Sequence, residues 1–250
     1  MTSELIQKIQ RLALEFETSD FLLKDPSQFM HVYSKISDVE AAAFISANLA
    51  FGRRDQILSH VKMILDAAGP DLTEWILNEG YRSFFPKNQK SFYRMYTNSD
   101  MLLFFEGLKD IFTACSTAGE FFEKKWKEEC QNEGEFVYLH KVIAGHFSTD
   151  CKLLPHSKGS SAKKVNMLLR WLVRDNSPVD LGLWKWYDKK NLLMPLDTHV
   201  MQQGNELGLI KSKSATLKTA IELTKKMSEI FPDDPVKGDF ALFGLGVSLQ

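Results

Sequence analysis

Two cationic side chains, Lys163 and Lys164, follow the stretch Gly159-Ser160-Ser161 and open the run VNMLLRWLV. That spacing predicts a helix beginning near Ala162 with both lysines in its first turn, where the helix dipole ordinarily disfavours cations. A positive helix end and a like-charged neighbour both favour the neutral amine, which makes one of the pair available as a nucleophile. Taken as local structure alone, the same pair is a solvated face or a phosphate contact. Further on, MPLDTHV (194–200) sets the carboxylate of Asp197 at the mouth of another helix. There it is either an ordinary N-cap or a fixed negative charge held ready for chemistry, and both readings share one geometry.

The elements that must position these groups read as helices throughout. In MTSELIQKIQRLALEF, charges interleave with Leu5, Ile6, Ile9, Leu12 and Leu14, which describes an amphipathic helix rather than a signal peptide. Asp25-Pro26 pairs a cap residue with a first-turn proline, and Ser37-Asp38-Val39-Glu40 reads as a capping box opening AAAFISANLAF. Gly69-Pro70 ends the helix through ILSHVKMILDAAG, and Asp71 starts the next. No alternating run of β-branched residues is long enough to argue for a strand. The expected class is all-α, and 250 residues suffice for one large domain or two lobes.

Composition narrows the partners. A net charge of −1 gives no global pull toward a polyanion, so nucleic acid must be held by a local basic patch. Cys115, Cys130 and Cys151 are too few and too widely spaced for a disulfide framework, a zinc site or an iron–sulfur cluster. The histidines at 140, 146 and 156 lack the spacing of a zinc pair. No apolar run approaches a membrane span, so the expected setting is the cytoplasm.

The order of motifs, LP…G…KKVN, then PLDTHV, ELGL and DFALFGLG, resembles that of the helix-hairpin-helix DNA glycosylases. FISANLAFGRRDQIL is similar to that superfamily's DNA-facing helix. The similarity spans roughly residues 37–60 and 150–248, and the whole chain most resembles a bacterial family of unassigned function related to archaeal 8-oxoguanine DNA glycosylases. The resemblance implies one two-lobed, all-helical unit over residues 1–250 with a cleft between its lobes, its hairpin and catalytic segment lying at about 150–200. It also implies a monomer with no cofactor that acts on damaged duplex DNA. Two features depart from the common pattern: the hairpin lacks Gly-x-Gly, and DNSPVDLGLWKWYDKKNLL lengthens the path between the two chemical groups.

Carried over residue by residue, the resemblance makes Lys163 the catalytic nucleophile, because Asn166 stands three positions on, and makes Asp197 its electrostatic partner. Such a pair cleaves an N-glycosidic bond and then the strand by β-elimination, with an oxidised purine such as 8-oxoguanine as substrate. The base must be flipped into a pocket that stacks on its face. Trp184 first, then Trp171, Trp186 and Tyr187, are the candidates, unless they are simply core. Asn48 would fill the gap left by the base, with Arg53, Arg54, Lys158 and Lys164 on the DNA backbone and Arg170 and Arg174 adding to a basic patch. The alternative is a catalytically silent module of the same fold that binds nucleic acid or a protein.

Overall fold

The computed structural model describes residues 1–248 and is built almost wholly of helices. The chain folds as two compact units, one formed by Met1–Leu23 with Ser157–Gln250, the other by Lys24–His156. In chain order the helices are α1 (Ser3–Phe16), α2 (Ile36–Leu49), α3 (Arg54–Ala68), α4 (Leu72–Leu77), α5 (Gly80–Phe84), α6 (Asn98–Ala114) and α7 (Ala118–Glu133). They continue as α8 (Leu139–His146), α9 (Lys163–Val173), α10 (Thr198–Glu206), α11 (Leu217–Ser228) and α12 (Gly238–Ser248). The all-α expectation holds, with one small addition. Ser91–Tyr93 and Tyr96–Thr97 pair as an antiparallel hairpin whose turn sets Arg94 at φ 52°. Five residues of strand leave too short a pattern for alternation to register. Among the described residues no helix is long and apolar enough to cross a membrane.

The Lys24–His156 unit forms around α2, which is buried from Ser37 to Leu49. The capping box expected at its start does not form: Lys35 is the N-cap and makes no side-chain cap bond. Asp38 and Glu40 instead serve other helices. Asp38 accepts from the Thr73 N–H and hydroxyl in the first turn of α4. Glu40 accepts from the Ala118 and Gly119 N–H groups at 2.6 and 3.0 Å, at the start of α7. A buried carboxylate is stable only when its lone pairs are filled, and a helix N-terminus offers both donors and a favourable dipole. Local spacing could not show this, because the partners lie 35 and 78 positions away. The Asp25-Pro26 cap does form, with Asp25 accepting from the Ser27 N–H at 3.0 Å. Around α2 an aromatic core fills in, Phe44 stacking on Phe122 and Phe104 on Phe147.

In the other unit α1 and α12 pack together, as do α10 and α12. The buried face of α1 is Ile9, Leu12 and Ala13, the stripe that the sequence shows. Along α9 every residue from Val165 to Val173 is buried, including Arg170. The segment after α9 returns along that helix's last turn, with Leu181 N–H donating to the Trp171 carbonyl and Trp184 N–H to that of Leu172, both at 2.7 Å.

Candidate functional site

Lys163 is the first residue of α9, and its backbone is set by an unusual turn. The N-cap is Ala162, held left-handed at φ 48° and ψ 41°, a conformation that costs an L-residue about 1 kcal/mol. Hydrogen bonds hold this turn closed. The Ala162 N–H donates to Ser160 Oγ at 3.1 Å, and the buried Asn166 donates its side-chain amide to the Ser161 carbonyl at 2.8 Å. Asn166 thus ties the first turn of α9 to the loop before it, which gives the asparagine three positions after Lys163 a structural task. Lys163 and Lys164 are both half-buried.

Asp197 is the N-cap of α10, accepting from the Val200 N–H at 2.8 Å. The flanking Thr198 and His199 stand inside the helix. Thr198 is exposed, and His199 sets its ring edge-on against Phe243 at 5.9 Å. Gly246 of α12 lies against His199, so closely that a Cβ there would stand 2.7 Å from the His199 Cβ. Gly246→Ala must push α10 and α12 apart at the turn that carries Asp197. It is expected to cost about 1–3 kcal/mol in stability, read from denaturation midpoints.

Sequence reasoning overlooked a third group, on the helix that packs against α10. Asp239, the second residue of α12, is buried and accepts a charge-assisted hydrogen bond from the Arg170 guanidinium. Its carboxyl is pushed up to about 6, chiefly by burial. Arg170 opposes that rise, Asp197 adds to it and Lys163 counters it. The buried carboxyl therefore feels the charge of both expected chemical groups. Its only sequence signal was position, the start of DFALFGLG.

The buried charges continue beyond Asp239. Lys163, Arg170 and Arg174 recur at spacings of seven and four, which places them on one helix face. Arg170 meets Asp180 at 3.3 Å, and Arg174 pairs with Asp180, with Glu17 at 2.7 Å and with Asp234 at 2.9 Å. Burial opposes the charge on Arg174, but Asp180, Asp234 and Glu17 outweigh it and hold its affinity for the proton above the usual range. Both arginines belong to this internal network, which corrects their assignment to a surface basic patch.

The aromatic candidates divide. Trp171 is wholly enclosed and Trp184 nearly so, which makes both core and removes them as open stacking faces. Trp186 is half-buried and stacks on Trp184, with ring centroids 5.7 Å apart. Trp184 hangs from Leu172, nine residues along α9 from Lys163, so its backbone sits about 14 Å down the axis.

In the Lys24–His156 unit, Asn48 is fully buried, and its amide donates to the Phe44 carbonyl at 2.9 Å, turning it toward the core rather than the surface. Arg53 is exposed and forks onto Asp55 at 3.1 and 2.7 Å, while Arg54 is half-buried. Lys158 is exposed in the loop before α9. Among the described residues no group of three or more His, Cys, Asp or Glu side chains is placed to hold a metal ion.

Together these observations define an almost wholly helical protein with a half-buried amine opening α9, a carboxylate capping α10 and a buried ion network joining α9 to α12. The chain belongs to the family described as a protein of unknown function, DUF2400, whose model matches residues 25–248. No curated protein and no solved structure matches it.

Proposed function

We propose that this protein is a DNA base-excision glycosylase with abasic-site lyase activity, of the helix-hairpin-helix type, acting on an oxidised purine such as 8-oxoguanine. The observation that carries this reading is that Lys163 and Asp197 sit on helices tied to one buried carboxyl: Asp239 of α12 pairs with Arg170 of α9, which Lys163 opens, and α12 packs against α10, which Asp197 caps. In this mechanism the Lys163 amine attacks C1′ and the N-glycosidic bond breaks, its electron pair leaving with the base. Positive charge builds on the sugar during that step, and Asp197 stabilises it. Loss of a proton from the lysine nitrogen and ring opening give a Schiff base, from which β-elimination cuts the strand on its 3′ side. Trp186, the half-open ring of its pair, is the stacking surface for the extruded base.

One observation favours the second reading, a silent module that binds nucleic acid without chemistry: the burial of Trp171 and Trp184 removes two of the expected stacking faces. Borohydride trapping separates the two readings. The wild-type chain is incubated with duplexes carrying an abasic site, 8-oxoguanine or another oxidised purine. A covalent protein–DNA adduct is expected, because reduction fixes the Schiff base. Duplex binding with neither adduct nor base release on any lesion would leave the silent module.

A further inference from the structure

No Asp or Glu occurs between Asp150 and Asp175, nor between Glu206 and Glu222. The fold brings these two acid-free stretches together. Ser160 bridges to Thr216, and the Leu217 N–H donates to the Gly159 carbonyl at 2.9 Å, so the loop before α9 and the segment before α11 run as one seam. Lys158 lies on one side of that seam, and Lys211, Lys213 and Lys218 lie on the other, all four exposed. Elsewhere in the same unit Lys189, Lys190, Lys226 and Lys237 each hold a carboxylate, whereas none of the four seam lysines has an ion pair among the described residues.

Lysines spread along a seam suit a different ligand from lysines that converge. A single phosphate is bound by donors meeting at one point, whereas a polyanionic strand is bound by charges laid out along a track. Lys211 and Lys213 flank Ser212 outside any helix, where two residues of chain span at most about 7 Å. We propose that this seam is a binding track for the sugar–phosphate backbone of duplex DNA, engaged through Lys158, Lys211, Lys213 and Lys218. The choice of DNA over another polyanion rests on the glycosylase reading above.

The test is the salt dependence of full-length protein binding to an undamaged duplex, followed by fluorescence anisotropy. Wild-type protein is expected to bind with a steep loss as salt rises. The variant Lys158→Gln/Lys211→Gln/Lys213→Gln/Lys218→Gln should flatten the slope of log K against log salt by about 3 and weaken low-salt binding at least roughly tenfold. The smaller Lys211→Gln/Lys213→Gln variant should flatten it by about half as much. A control, Lys8→Gln/Lys185→Gln, removes two charges from elements of the same unit outside the seam and should keep the wild-type slope. Wild-type slope in both seam variants, or equal loss in the control, overturns the track. So does wild-type protein that binds acidic phospholipid vesicles but not duplex. The glycosylase reading fails separately: an adduct with an unchanged seam slope removes only the track, whereas lysine-dependent duplex binding without any adduct removes only the glycosylase.

Discussion

Lys163→Gln is expected to abolish the borohydride-trapped adduct while leaving binding to lesion-bearing duplex nearly unchanged. The amine supplies the bond to C1′, and glutamine keeps a polar side chain, one atom shorter, without its nucleophilicity. Lys164→Gln is the internal control, since it removes a neighbouring charge from the same half-buried turn. An adduct that survives in the Lys163 variant and vanishes in the Lys164 variant would move the nucleophile by one residue. The Asp197→Asn variant extends the test to the partner group. Asparagine caps a helix about as well as aspartate, so α10 should keep its first turn with little change in stability. What is lost is the charge, and one missing electrostatic partner in such a site commonly costs about 3–4 kcal/mol, or roughly 10²–10³ in the rate of base release. If Asp197 is only a cap, asparagine will release base at the wild-type rate and only Asp197→Ala, which loses the cap, will show a defect in stability.

The sequence made the helices legible, because their apolar stripes and stop signals are local. The buried stripe of α1 and the cap at Asp25 stand where spacing puts them. The cap at Asp197 was legible for the same reason: three residues separate the carboxylate from the N–H that it accepts. The failures share the opposite property. Ser37 and Glu40 have the spacing of a capping box for their own helix, yet Glu40, like Asp38 beside Ser37, fills the N-terminus of a distant one. Arg170 and Arg174 read as surface charge because arginine usually is, and only the fold supplies Asp180, Asp239, Glu17 and Asp234 around them. The left-handed Ala162 could not be read at all, since alanine gives no hint of positive φ. The seam is an intermediate case: its two acid-free stretches are plain in the sequence, but their pairing is not.

Asp239→Asn is expected to change how stability depends on pH. The carboxyl ordinarily titrates near 3.8 and is raised to about 6 in the folded chain, chiefly by burial. Between those values the native state holds a proton that the unfolded state has released, so stability falls as pH rises through that window. The contribution is fully present below the unfolded value and is lost above about 6. At about 1.4 kcal/mol per unit, the loss at neutral pH is on the order of 2–3 kcal/mol. Asparagine resembles the protonated acid and has no such loss. The variant should therefore gain stability relative to wild type as pH rises from about 4 to about 6 and keep that gain up to neutral pH, measured from denaturant midpoints. A gap that stays flat across that range would show an ordinary carboxyl. A wild type more stable than the variant at pH 7.5 would show that the bond from Arg170 outweighs burial. A carboxylate that costs stability at neutral pH is retained for some other task, and here it lies where the charges of Lys163 and Asp197 both reach it. The variant that gains stability should accordingly lose base release, and gains in both together would separate Asp239 from the chemistry of the pair.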